Sequence, residues 1–112
     1  MNREACIEAC LACVKTCEAC VTNCVTKSGH EMDRTKCIQL CRDCAEVCTT
    51  CARLCARDSD FALDMCRMCA EVCKACAEEC EKHATHGDEV CARCAEACQY
   101  CAEVCENMAV AA

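Results

Sequence analysis

The sequence predicts an all-α protein: an antiparallel four-helix bundle with a cysteine-lined core. Two observations carry this. All 22 cysteines fall into four stripes with a heptad rhythm. There is no proline, and the only two glycines, Gly29 and Gly87, both lie between stripes. The first stripe is Cys6, Cys10, Cys13, Cys17, Cys20 and Cys24, with steps of 4, 3, 4, 3 and 4. An average step of 3.5 residues is the a/d seam of packed helices, where Leu, Ile or Val normally sits. The second stripe is Cys37, Cys41, Cys44, Cys48, Cys51 and Cys55. The third is Cys66, Cys69, Cys73, Cys76 and Cys80, and the fourth is Cys91, Cys94, Cys98, Cys101 and Cys105. Four helices joined by short turns close as an antiparallel bundle, and residues 1–112 make one domain.

Helix one is expected over about 2–25. Ile7, Leu11, Val14, Val21 and Val25 flank its seam, and Glu4, Glu8, Lys15, Glu18 and Asn23 face mostly outward. Lys27–His30 reads as a stop, with Gly29 suited to a left-handed position after the helix. Helix two is expected over about 32–57, with Leu40, Val47 and Leu54 on its flank. Asp58, Ser59 and Asp60 form a polar break rich in N-cap residues. Helix three is expected over about 61–82, flanked by Phe61, Met65, Met68 and Val72. Thr85 and Asp88 resemble a capping box before helix four, expected over about 88–107. Ala, Glu and Arg, all good helix formers, are assigned to the outer faces.

Composition narrows the function. A net charge of −7 argues against nucleic acid, which needs a basic footprint. The longest apolar run, Ala9–Val14, is too short to span a membrane. The N-terminus, Met-Asn-Arg-Glu, shows neither an apolar signal core nor twin arginines. The expectation is a soluble cytoplasmic protein with reduced thiols, which in clusters bind metal more often than they form bridges.

Spacing and charge select the metal. Residues at i and i+4 share a helix face with Cβ atoms roughly 5–6 Å apart, wider than the ~3.8 Å a disulfide prefers. Two thiolates at that spacing suit one metal ion between them. Soft thiolates select Cu(I), zinc or iron–sulfur clusters. Zinc held by four thiolates leaves a buried double negative charge at each site, whereas a monovalent ion near one per thiolate leaves the core neutral. The bacterial iron–sulfur spacing is absent, and no CxxC is followed by His. Multiple Cu(I) ions on all 22 cysteines are therefore expected. A copper chaperone, a zinc or iron–sulfur store and a CxxC redox enzyme are the alternatives. A non-catalytic store is preferred, because delivery wants an exposed site and a CxxC redox centre wants a βαβ setting.

The all-cysteine seams from Cys6 to Cys105 resemble the bacterial copper storage proteins. That resemblance implies a four-helix bundle with inward cysteines binding many Cu(I) ions, often through CxxxC pairs, and a homotetramer of bundles. The absence of a twin-arginine signal resembles the family's cytosolic branch. Ala62 and Gly87 stand where sixth cysteines of stripes three and four would fall. The resemblance also implies that copper enters at an end carrying His or Met ligands. His30, Met32, His83 and His86 belong to one end, and Met1, Phe61, Met65 and Met108 to the other. His83 lies three residues beyond Cys80, on the stripe itself, so it is the favoured gate ligand, with His30 and His86 as helpers. Phe61, Met65 and the termini are expected to plug the other end. Met68 is a weaker ligand candidate. The apolar flanks Leu40/Val47/Leu54 and Phe61/Met65/Met68/Val72 exceed what a sulfur core needs and so point to an oligomer.

Overall fold

The structure, a computed structural model, describes residues 3–26 and 33–110. Among them are four helices: α1 (Arg3–Thr26), α2 (Thr35–Ala56), α3 (Ala62–Ala84) and α4 (Glu89–Val110). The described residues contain no strand. Each helix packs against two neighbours, α1 and α3 both lying between α2 and α4. The pairs α1/α3 and α2/α4 therefore face each other diagonally across the axis of a bundle measuring 45 × 19 × 18 Å. Cys6 at the start of α1 meets Cys55 at the end of α2, and Cys20 near the end of α1 meets Cys37 at the start of α2, as antiparallel packing requires.

Turn chemistry sets the helix ends. Asp58 takes a left-handed φ of 55°, which a short Asp side chain tolerates. Its N–H donates to Cys55 O, and Ser59 N–H donates to Leu54 O, closing a Schellman turn. The same turn ends the third helical segment at Gly87, whose φ of 93° favours glycine. Here Gly87 N–H donates to Ala84 O and Asp88 N–H to His83 O. The expected Thr85–Asp88 capping box does not form. The helical turns run on past residue 82, so Thr85 finishes α3, donating its hydroxyl to Lys82 O at 2.8 Å. Asp88 caps α4 by itself, with Oδ1 accepting the Cys91 N–H at 3.0 Å.

Two further boundaries differ from expectation. Asp33 and Arg34 are not helical, because Asp33 Oδ1 accepts both the N–H and the hydroxyl of Thr35 and holds the chain in a turn before α2. α4 continues to Val110, which carries Met108 into the core. Gly29, His30, Met32 and Met1 lie outside the described residues.

Cysteine fills the core, with alanine beside it. Ala45 and Ala52, Ala70 and Ala77, and Ala95 and Ala102 are all buried, each pair seven residues apart. These alanines face the interior, contrary to the outward assignment, because a sulfur core is thin and the backbones must approach closely to bury it. Val14, Val47, Leu54, Val72 and Val104 pack half-buried against this core from the flanks. Leu40, Val47 and Leu54 are thus engaged within the bundle and are not a free apolar strip.

Candidate metal centre

The heptad steps bring every cysteine inward. All 22 are buried free thiols, and all but Cys24 have no solvent exposure. Their sulfurs form one network along the axis. Cys13 Sγ lies 3.5 Å from Cys98 and 3.6 Å from Cys44. Diagonal helices meet through sulfur along the axis, as at Cys6–Cys66 (3.8 Å) and Cys41–Cys94 (3.9 Å). Sulfurs of CxxxC pairs also approach, at 3.8 Å for Cys44–Cys48 and for Cys69–Cys73.

Sets of four sulfurs converge within 4.8 Å of one another, a spacing at which one ion can bridge them. Cys13, Cys48, Cys73 and Cys101 form such a set with one ligand from each helix. Cys10, Cys69, Cys101 and Cys105 form the next, sharing Cys101. Cys6, Cys10, Cys51 and Cys105 form a third, sharing Cys10 and Cys105. Shared corners matter chemically. Separate tetrathiolate zinc sites would each need four ligands of their own and would each bury a double negative charge. Bridging thiolates around monovalent ions use shared corners and cancel the charge.

The thiols hold their protons by two routes. Burial pushes the Cys24 thiol up, and pushes Cys55 up to about 11 with help from the neighbouring Cys66 sulfur. Within the network, Cys17, Cys48 and Cys105 are raised first because they share hydrogen bonds with several adjacent sulfurs, and burial adds to this. A sulfur that accepts from its neighbours moves the other way, as Cys94 does beside Cys17, Cys20 and Cys41.

The ends differ from expectation in instructive ways. His83 is 1% exposed, enclosed rather than on an open rim. Its Nε2 lies 3.1 Å from Glu79 Oε2, and Lys82 Nζ holds the other Glu79 oxygen at 3.3 Å. His83 Nδ1 is buried without a partner. A neutral imidazole donating Nε2–H to a carboxylate presents its Nδ1 lone pair, the arrangement seen at metal-ligating histidines. The sequence reading missed Glu79, although its i, i+4 spacing from His83 was visible. His86 is exposed. At the opposite end Phe61 is 69% exposed and does not plug the bundle, because it precedes the first turn of α3. Met65 is half-buried, Met68 is 48% exposed on the outside of α3, and Met108 alone of the three is buried.

A second charged cluster also escaped the sequence reading. Asp88 accepts hydrogen bonds from Arg34 Nη1 at 2.9 Å and Asn23 Nδ2 at 3.0 Å. Burial alone would raise the Asp88 carboxyl, but the Cys91 N–H, the guanidinium and the Asn23 amide outweigh it and hold the carboxyl well below the usual range.

The family model described as copper storage protein matches residues 1–110. The chain belongs to the copper storage protein family. A Cu(I)-bound copper storage protein, BsCsp3, is 42% identical with a TM-score of 0.87, over 95% of this chain and 96% of that one. Apo-Csp3 from Bacillus subtilis is 41% identical with a TM-score of 0.86, over 96% and 99%. A cytosolic copper storage protein from Streptomyces lividans, in a structure with five coppers, is 39% identical with a TM-score of 0.88, over 96% and 94%. No curated protein matches.

Proposed function

We propose that the chain is a cytoplasmic, non-catalytic, high-capacity Cu(I) store. The observation that carries this is the continuous column of buried sulfurs, whose four-membered sets share corners. A chaperone would need an exposed site for rapid exchange, and the thiols here are enclosed. The cytoplasmic placement draws on the relative described as cytosolic. No helix among the described residues is long and apolar enough to cross a membrane. Anaerobic Cu(I) titration against a competing chelator tests the reading, since storage requires uptake well beyond one ion per four thiols.

Copper passes the His83 end in this reading. His83 continues the α3 seam, is held by Glu79 and offers a free Nδ1, while neutral imidazole is a Cu(I) ligand that adds no negative charge at the mouth. His83→Ala is expected to slow uptake and removal about tenfold while lowering capacity by at most about one ion. Stopped-flow transfer to a chelator measures the rate. Wild-type kinetics in His83→Ala, with slowed exchange in Met108→Ala, would move the entrance to the other end.

The chain also assembles as a homotetramer in this reading. The family resemblance supports this, and Leu11, Phe61, Met68 and Tyr100, all about half or more exposed, offer apolar contacts between bundles. Sedimentation at micromolar concentration is expected to give four chains, and a monomer would refute the assembly.

A further inference from the structure

We propose that Arg34 is a latch on the rim of the sulfur column, occupying the place between Cys24 and Cys91 that a terminal copper ion takes. Arg34 is three residues before Cys37, so it stands at the next seam position of the second stripe. Its Nη1 lies 3.6 Å from Cys24 Sγ and 3.4 Å from Cys91 Sγ. The same nitrogen lies 2.9 Å from Asp88 Oδ2. The ion pair is enclosed, with side-chain exposures of 12% for Arg34 and 6% for Asp88. At the other end of the bundle, Arg3 and Asp58 are paired at 3.1 Å with exposures of 47% and 85%, an ordinary surface contact.

Competition for sulfur makes the enclosed pair a latch. A guanidinium has only donors, so the sulfur lone pairs turned toward Nη1 are those a Cu(I) ion would need. A metal–thiolate bond is about 2.3 Å, shorter than either Nη1–sulfur distance, so an ion bound to both sulfurs takes the space that Nη1 fills. Cys24 and Cys91 therefore hold one cation or the other. The seat of the latch is fixed: Asp88 is anchored by Asn23 and by the Cys91 N–H. The arm is less settled, because Arg34 Nε is buried without a partner. An arginine tethered at its tip to Asp88 and unsatisfied at Nε can swing aside while keeping its ion pair. Copper crossing this end displaces Arg34 from sulfur, and loss of the outermost ion lets it return.

This inference rests on copper passing the His83 end. Its test uses the full chain loaded with Cu(I), with transfer to excess chelator followed by stopped flow and the fold checked by circular dichroism. Arg34→Gln is expected to speed transfer of the inner ions, which leave only after the latch has returned, about tenfold, the worth of a hydrogen bond to a charged group. Asp88→Asn keeps an N-cap oxygen for Cys91 but removes the charge that anchors the guanidinium, and is expected to speed transfer about threefold. Arg34→Lys keeps the charge, but its shorter side chain holds Nζ back from the point where Nη1 meets both sulfurs and Asp88, so its rate falls between the parent and Arg34→Gln; with Asp88→Asn it carries the test if Arg34→Gln does not fold. Parent or slower rates in these variants, with His83→Ala still slowing exchange, would overturn the latch and leave the entrance standing. If His83→Ala also has no effect and Met108→Ala slows transfer, the entrance and the latch fall together.

Discussion

Reduced, metal-free chain titrated anaerobically with Cu(I) is expected to bind between about 11 and about 22 ions, on the requirement that a buried core end near neutrality. It is also expected to become resistant to heat. Both effects come from the same 22 sulfurs. Empty, the core is protonated cysteine and alanine, which packs as a small hydrophobe and keeps the helices folded with modest stability. Each ion bound to the folded chain alone, at a free concentration about a thousandfold above its Kd, adds about 4.1 kcal/mol. Even about five such ions exceed the 5–15 kcal/mol that holds an ordinary domain together. The apo chain is expected to be helical by far-UV circular dichroism and to melt in the mesophilic range, with no transition below about 90 °C once loaded. Saturation near about five ions would instead fit separate closed sites of four thiolates each, and would refute storage.

What the sequence made legible follows from periodicity. The heptad steps place all 22 cysteines inward, because a residue's face on a helix is set by its number alone. The same steps carried forward reach His83 and Met108, both buried. Carried backward from Cys37 they reach Arg34, but an arginine at a seam position reads as the end of the pattern. Its partner Asp88 caps another helix, so the pair exists only once α2 and α4 start at the same end of the bundle. The alanines were ambiguous for a different reason. Alanine favours helix at any position, so Ala70 or Ala95 carries no sidedness until helix separation is known. Turn composition was also ambiguous: Thr85 and Asp88 both suit a cap, and the length of α3 decides between them.

Acidification is expected to loosen each bound ion by about ten- to about a hundredfold per pH unit near neutrality, because thiolate, not thiol, is the ligand. The exponent is the number of protons displaced per ion. If 22 thiols serve about 22 ions, each ion displaces about one proton; if they serve about 11, each displaces about two. The slope multiplied by the capacity must therefore return the cysteine count. Competition against a chelator of known proton uptake, at several pH values around neutrality, gives the slope, and an indicator dye gives the protons released. A flat profile would mean that the thiols are ionised before copper arrives, and the neutral-core account would fail. Folding of the empty chain responds in the opposite direction. Cys55 holds its proton to about 11 in the folded state against an ordinary value of 9.0. Its folded pKa is raised, so its contribution to apo stability is fully present below about 9 and is lost as the pH climbs through about 11. Between those values alkali weakens the empty bundle while it still strengthens the hold on copper. The gap in stability between loaded and empty chain thus widens with pH, and closes in acid as protons retake the sulfurs.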